Sequence, residues 1–282
     1  MNILTFDIEE WFHILDNDST KNETNWNKYE SRIHKNMDII FEILQNNNVS
    51  ATFFVLGWIA KKYPEIVKRI SKNGFEIGSH THMHQLIYNQ TRLEFFNDVE
   101  RSIKSLEDIT GKKIKSFRAP GFSIMDKNKW AFEVLFDLGI RKDCSVFPAP
   151  RSHGGLPNCK FNKPFILNYE GVTLKEFPIN TKKILNLPFI FSGGGYFRLF
   201  PYQIIKNLSK NSDYVMTYFH PRDFDSTQPI IKELTAYRKF KSYVGLKNCK
   251  NKLEKWLKHE KFIDLSEADE LIDWKSVPNV NI

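Results

Sequence analysis

Apolar positions along the chain fall into two spacings that take turns. Residues 3–7 form a compact apolar run, with Ile3, Leu4 and Phe6, and predict a buried strand that ends in acids. Across 31–45, Ile33, Met37, Ile40, Phe41 and Leu44 recur every three or four residues, the stripe of an amphipathic helix, and Asn46-Asn47-Asn48 ends it. Residues 51–56, rich in Phe and Val, read again as a buried strand. Pro64 suits the first turn of a helix that runs to Lys72 and stops at Asn73-Gly74. The same alternation predicts strands at 75–78, 114–117, 143–147, 214–219 and 262–265, and helices at 92–109, 127–138, 202–210 and 244–259. Runs at 165–169 and 172–177 flank Glu170-Gly171, a two-residue hairpin signal, and Pro and Gly dominate a long loop over 147–164. Strands alternating with helices argue for an α/β fold with a parallel sheet, in one domain over 1–282.

Polar residues of chemical interest sit just after the predicted strands. Asp7, His80, Arg118 and His220 all do so, at the end where parallel sheets carry their sites. Residues 79–84 read Ser-His-Thr-His-Met-His, placing three of the chain's eight histidines within five positions. Neutral imidazole is the commonest protein metal ligand. The i, i+4 spacing of His80 and His84 predicts two ligands on one face of a helical turn. Asp7, Glu9 and Glu10 supply carboxylates at the end of the first strand. Two histidines, one carboxylate and an open position describe a hydrolytic zinc site. His82 reads as a structural neighbour of the pair. His13, His34, His153 and His259 carry no signal of their own, although His153 lies in the Gly/Pro loop where substrate contact is conceivable.

Composition narrows the class. Of 282 residues, 41% are apolar, 24 are Phe and 26% are charged, which suits a globular protein with a sizeable core. The net charge of +8 raises nucleic acid, anionic membrane or acidic substrate as partners. The lysines are spread out, however, and the densest stretch, 239–261, includes Glu254 and Glu260 and reads as a solvated helix face. No nucleic-acid-binding signature accompanies it, so no nucleic-acid partner is expected. Cys144, Cys159 and Cys249 have no CxxC spacing and make neither a disulfide framework nor a thiolate metal site. No apolar run reaches the 18 residues of a transmembrane helix, and the N-terminus lacks the charge-then-apolar pattern of a signal peptide. A cytoplasmic location is expected.

Taken in order, these motifs resemble the polysaccharide deacetylases (carbohydrate esterase family four, the NodB-homology domain). The resemblance rests on Thr5-Phe6-Asp7, His80-Thr81-His82-Met83-His84, Arg118-Ala119-Pro120-Gly121, a weaker motif around Asp143, and Met216-Thr217-Tyr218-Phe219-His220. It spans about residues 3–223, with a C-terminal helical extension at about 228–282. It implies a distorted (β/α)7 barrel and a divalent metal, most often Zn2+, with Co2+, Ni2+ or Fe2+ as alternatives. The substrate implied is an N-acetylated amino sugar in a polysaccharide or its lipid- or nucleotide-linked precursor. Asp7 would be the base, Arg118 its orienting partner, His220 the acid, and Asp143 a tuning residue. His80 and His84 would hold the metal. The family's usual pair of adjacent aspartates is replaced here by Asp7-Ile8-Glu9, which resembles an Asp-x-Glu subgroup. Positions 7 and 9 of an extended strand share a face, which favours Glu9 over Glu10 as the third ligand. Gly193-Gly194-Gly195-Tyr196-Phe197-Arg198 and His220-Pro221-Arg222-Asp223 resemble the same subgroup. Trp11, Pro120, Phe122 and Tyr196 are expected to contact sugar, and Arg198 and Arg222 to attract phosphate or uronate groups. Two other readings stand beside this one: a relative that cleaves non-sugar C–N bonds, and an inactive carbohydrate-binding module that keeps the metal. Nothing in the residues fixes the oligomeric state.

Overall fold

The computed structural model describes residues 1–15, 17, 22–184 and 187–282. Its strands are β1 (Asn2–Ile3), β2 (Thr5–Ile8), β3 (Thr52–Val55), β4 (Glu76–Ser79), β5 (Ser116–Phe117), β6 (Lys142–Asp143), β7 (Phe165–Tyr169), β8 (Val172–Glu176), β9 (Lys182–Ile184), β10 (Leu187–Phe189), β11 (Val215–Met216) and β12 (Asn279–Asn281). One sheet runs β12-β7-β8-β6-β5-β4-β3-β2. All its pairs are parallel except the β7–β8 hairpin. Beyond β2 the wall continues: β1 pairs in parallel with β11, and parallel bridges join Phe6 to Phe219 and Gly193 to Tyr218. The Asn180 side chain then receives the Met216 N–H and the Ser192 hydroxyl at the closing gap. The result is the distorted barrel of α/β units expected for the family.

Helices α2 (Ile33–Asn47), α3 (Gly57–Lys62), α4 (Pro64–Lys72), α5 (Arg92–Thr110) and α6 (Ala131–Asp137) pack outside the wall after the short α1 (Glu23–Trp26). Their ends follow local chemistry. Thr91 and Glu94 form a reciprocal capping box at the start of α5, and Gly111 ends it in the left-handed region at φ 67°. Pro64 opens α4 at its first position. The β7–β8 turn has positive φ at both Glu170 and Gly171, the primed geometry that matches strand twist. Phe6, Phe53, Phe41 and Phe75 stack between sheet and helices, with Phe6 and Phe53 centroids 5.4 Å apart.

Several expectations need correction. The strand over 143–147 pairs only at Lys142–Asp143, and the Cys144 carbonyl just beyond it accepts from Arg118 Nε at 3.4 Å. The strand at 262–265 is a single bridge from Ile263 to Ile3, followed at once by α11 (Leu265–Leu271), whose cap is the Asp264 carboxylate. Helices α7 (Gly194–Leu199) and α9 (Ala236–Tyr243) flank the predicted α8 (Tyr202–Lys210) and α10 (Cys249–His259), and neither carries a clear stripe. The C-terminal extension is not purely helical, since β12 adds an edge strand beside β7. Nor is the 239–261 face wholly solvated. Lys252 turns inward and donates to the carbonyls of Phe197, Arg198 and Phe200 at 2.9, 3.0 and 2.6 Å, placing a cation at the carbonyl end of α7.

Candidate active site

Strand order brings the polar residues together. Asp7 N–H donates to Phe219 O at 2.7 Å, so the first acid and the residue after Phe219, His220, share one rim. His80 N–H donates to Val55 O, and Arg118 N–H to Ser79 O, extending the wall by one residue past each strand. Arg118 is fully buried inside the barrel. Its guanidinium donates to Thr5 Oγ1 at 2.7 Å and to Asp7 Oδ1 at 2.8 Å, and its carbon sits 4.4 Å above the Phe54 ring. Weaker bonds reach the carbonyls of Cys144 and Thr217 at 3.4 Å. A buried charge is tolerable when its donors are spent in this way.

The histidine motif is not a helical turn. Residues 80–84 form an irregular loop with φ of 67° at Thr81 and 53° at His84, a conformation that costs a β-branched residue about 1–3 kcal/mol. Two supports hold it. Asp98, on α5, accepts the N–H groups of His82 and Met83 at 2.8 and 3.1 Å. The carbonyls of Thr81 and His82 accept the first free N–H groups of α3, from Gly57 and Trp58. His80 and His84 thereby converge by a loop rather than by helical periodicity, while His82 turns away into a buried site without a hydrogen-bond partner. Burial leaves His82 at about 4.

Glu9, His80 and His84 each offer a ligand atom within 4.8 Å of the others. His84 Nε2 lies 2.8 Å from Glu9 Oε2. His80 Nδ1 is 2.7 Å from Arg118 O, and donation to that carbonyl leaves its Nε2 lone pair facing the other two. Burial pushes Glu9 up, but His84 foremost, with His220 and His13, outweighs it and holds the carboxyl at about 2. Burial likewise lowers His80 to about 4. A carboxylate and two imidazoles, buried and pointed at one spot, are the donor set a divalent ion takes. Glu10 faces the other way. It accepts from the Ser31 hydroxyl and from the N–H groups of Arg32 and Ile33, capping α2, which has no side-chain cap of its own.

His220 lies opposite, with Nε2 3.9 Å from both Asp7 and Glu9. Burial pulls it down, but the hydrogen bond and charge of Asp223, with Glu9 and Asp7, raise it to about 9. Asp223 Oδ2 is 3.1 Å from His220 Nδ1, and Oδ1 is 3.0 Å from Arg198 Nε. Sequence reasoning places the tuning role on Asp143, which instead sits behind Arg118. Its carboxylate receives the Ser145 hydroxyl at 2.6 Å, and Ser145 Oγ receives the Ala119 N–H. Asp143 and the nearby Glu176 are both raised by burial. Asp223, three residues beyond His220, enters the sequence reading only as part of a motif; the i, i+3 spacing of an acid after a histidine is the available signal.

Asp7, Glu9, His80, His84, His220 and Asp223 line a cavity of about 480 Å³, with Phe122, Tyr196, Arg198, Tyr218 and Arg222 among its walls. Trp11 and Pro120 do not face it. Trp11 donates its indole N–H to Glu30 O and packs edge-on against Phe12 and Tyr29, while Pro120 is buried at the start of a turn. Arg198 faces the cavity but its donors are spent on Asp223 and on the carbonyls of Ser242 and Lys241. The glycine run explains this closeness: a Cβ at Gly193 would stand 2.3 Å from Tyr218 O, and one at Gly195 2.9 Å from Lys241 O. His13, given no role by the sequence, lines the cavity, and so does His153, whose loop raises substrate contact. His13 is held by Glu10 N–H, and its ring is 6.0 Å from that of His84.

Comparison with known proteins places this geometry. Residues 16–141 match the polysaccharide deacetylase family, and residues 144–270 match a domain of unknown function, DUF3473. The boundary between the two matches falls where β5 and β6 pair, so one sheet runs through both. A peptidoglycan-N-acetylglucosamine deacetylase of Bacillus cereus is 38% identical over 98 residues, 34% of this chain and 36% of that protein. A chitooligosaccharide deacetylase of Azorhizobium caulinodans is 35% identical over 82 residues, 29% of this chain and 39% of that protein. The chain thus spans under two-fifths of the length of these relatives. A solved chain from Mycobacterium smegmatis, described as a candidate polysaccharide deacetylase, shares the fold with a TM-score of 0.67 at 17% identity, over 100% of this chain and 92% of that one. Strand order, motifs and local sequence agree that residues 16–141 of the chain carry a polysaccharide deacetylase match and that the fold around them is similar to that of such proteins.

Proposed function

We propose that this protein is a metal-dependent hydrolase that removes the N-acetyl group from an amino sugar in a polysaccharide or its lipid- or nucleotide-linked precursor. One observation carries the reading: Glu9, His80 and His84 converge beside an Arg118-paired Asp7, and an Asp223-paired His220 stands across the gap. The relatives named above act on N-acetylated sugars, which supports the same substrate class here.

Glu9, His80 and His84 would hold the ion, with Zn2+ favoured by two imidazoles and one carboxylate. When bound, such an ion polarises a carbonyl and acidifies water. Asp7, fixed by Arg118, is placed to take the proton of the attacking water. His220, protonated below about 9, is placed to deliver a proton to the departing amine nitrogen. An amine leaves poorly unless protonated, so an acid opposite the base meets a chemical requirement. Phe122 and Tyr196 line the cavity and would supply apolar surface to the sugar. Arg198 positions His220 through Asp223 rather than touching substrate. Because acid and base are both present, the inactive-module reading is the weaker one.

No described helix is long and apolar enough to cross a membrane. The cytoplasmic location expected from the sequence stands as part of this proposal. Acetate release from N-acetylated oligosaccharides by the zinc-loaded protein tests the function, with Asp7→Asn and His220→Ala as controls. Release from wild type that both variants lose supports it, and undiminished release from either variant removes that residue's role.

A further inference from the structure

The cavity wall beyond His220 is more cationic than a neutral sugar requires. Among the described residues three carboxylates face the cavity, and all three are already engaged. Asp7 pairs with Arg118, Glu9 with His84, and Asp223 with Arg198 and His220. Arg151, Arg222 and Lys241 face it too, and among the described residues none of the three is ion-paired to a carboxylate. Arg222 donates to Gln228 Oε1 and to Ser242 O. Lys241 lies 5.3 Å over the Tyr237 ring, on the exposed helix α9.

Arg151 is the sharpest feature. Its guanidinium carbon lies 4.5 Å over the Phe147 ring and 5.9 Å over Phe122, so aromatic faces hold the plane. Its charge acts on Tyr218, whose ring is 6.4 Å from that of His220. Yet its Nη1 is buried and has no hydrogen-bond partner among the described residues. A buried guanidinium donor left unmatched costs stability, and a planar fork beside a cavity is the usual means of binding carboxylate or phosphate oxygens.

The geometry points to an oxyanion subsite: the cavity accepts an acidic substrate whose carboxylate or phosphate, carried on or beside the N-acetylated sugar, seats on Arg151 with Lys241 and Arg222. This deepens the deacetylase reading and rests on it. Sequence reasoning gives the anion to Arg198 and Arg222; Arg198 is instead neutralised by Asp223. The shared chemistry has two sources, a uronate or other carboxylate sugar within a glycan, or the diphosphate of an activated sugar.

The test uses the full chain loaded with zinc. Acetate release is compared for chitopentaose, for an oligosaccharide of equal length with a uronic acid beside the N-acetylated sugar, and for UDP-N-acetylglucosamine. We expect one anionic substrate to exceed the neutral one in kcat/KM by about tenfold or more, with the preference shrinking at high salt. Arg151→Gln should cut the anionic-to-neutral ratio by about 10- to 100-fold. Lys241→Gln, on an exposed helix, should cut it less and guards against misfolding of the first variant. Preference for the uronate assigns a glycan carboxylate, and preference for the nucleotide assigns a diphosphate. Equal treatment of all three substrates, with the ratio unmoved in both variants, overturns the subsite and leaves the deacetylase reading intact. If no substrate releases acetate, that reading fails. Titration calorimetry with glucuronate and pyrophosphate then decides the subsite: binding weakened in Arg151→Gln keeps it, and no binding of either overturns it.

Discussion

The two walls of the cavity are built by different means. On the inner wall, Asp7 lies within β2 and His80 and Arg118 each lie one step past a strand, and the hydrogen bonds of the sheet set their spacing. On the outer wall, His220, Asp223 and Arg198 are tied by ion pairs, and Arg198 in turn holds the carbonyls of α9. A sheet fixes position through local, repeating geometry. The outer wall depends on contacts between residues far apart in sequence, such as Arg198 and Ser242, with glycines that let α7 approach Tyr218 and Lys241. The inner wall should therefore fail by losing chemistry, and the outer wall by losing alignment.

Substitutions can break that contrast. The largest effect is expected at Asp7. Asp7→Asn should lower turnover by about 10²- to 10⁴-fold while the metal stays bound, measured by acetate release beside elemental analysis; lost metal would make Asp7 a ligand instead.

The pH profile comes next. A general acid works while protonated, so activity should fall as pH rises through the His220 value of about 9. Removing the Asp223 charge takes away the main influence holding His220 up. In Asp223→Asn the alkaline limb of kcat/KM should move to lower pH. A limb that stays in place would mean that His220 is not the acid or that Asp223 does not tune it.

Asp98 tests the loop that carries the histidines. Asp98→Ala frees two N–H groups and relaxes the positive φ at Thr81 and His84, and should weaken metal affinity by about 10- to 100-fold. Unchanged affinity in a metal titration would show that the loop holds its shape without α5. The smallest effect separates two neighbouring acids. Glu10→Gln should cost about 1 kcal/mol of stability by weakening the α2 cap and spare the metal, whereas Glu9→Gln should lose the metal. Thermal melts and elemental analysis of the two variants read both outcomes.

The contrast between walls also explains what can be read from the chain. Strand-end residues are legible because period and position coincide: Asp7, His80 and His220 stand at predicted strand ends and meet in one cavity, with Arg118 buried behind Asp7. Strand alternation separates Glu9 from Glu10, and the structure turns them apart in that sense. The helix over 202–210 and the hairpin at Glu170-Gly171 are legible because stripe and turn chemistry are local. The histidine loop is not, since i, i+4 spacing alone does not distinguish a helical turn from a loop held by Asp98 and α3. Trp11 is misplaced by its sequence because an aromatic near a strand end looks the same whether it faces the cavity or the core. That Asp223, and not Asp143, lies against His220 is not legible either, because it needs the through-space partner of His220. Helix α9, with no buried residue to mark a stripe, leaves the outer wall unseen.

The central claim is that Glu9, His80 and His84 form one metal site that the proposed hydrolysis needs. Elemental analysis of purified wild type beside His84→Ala tests it most directly. The account predicts about one divalent ion per chain in wild type and none in the variant. No ion in wild type after incubation with zinc, cobalt, nickel or iron, or equal loading of both proteins, would contradict it.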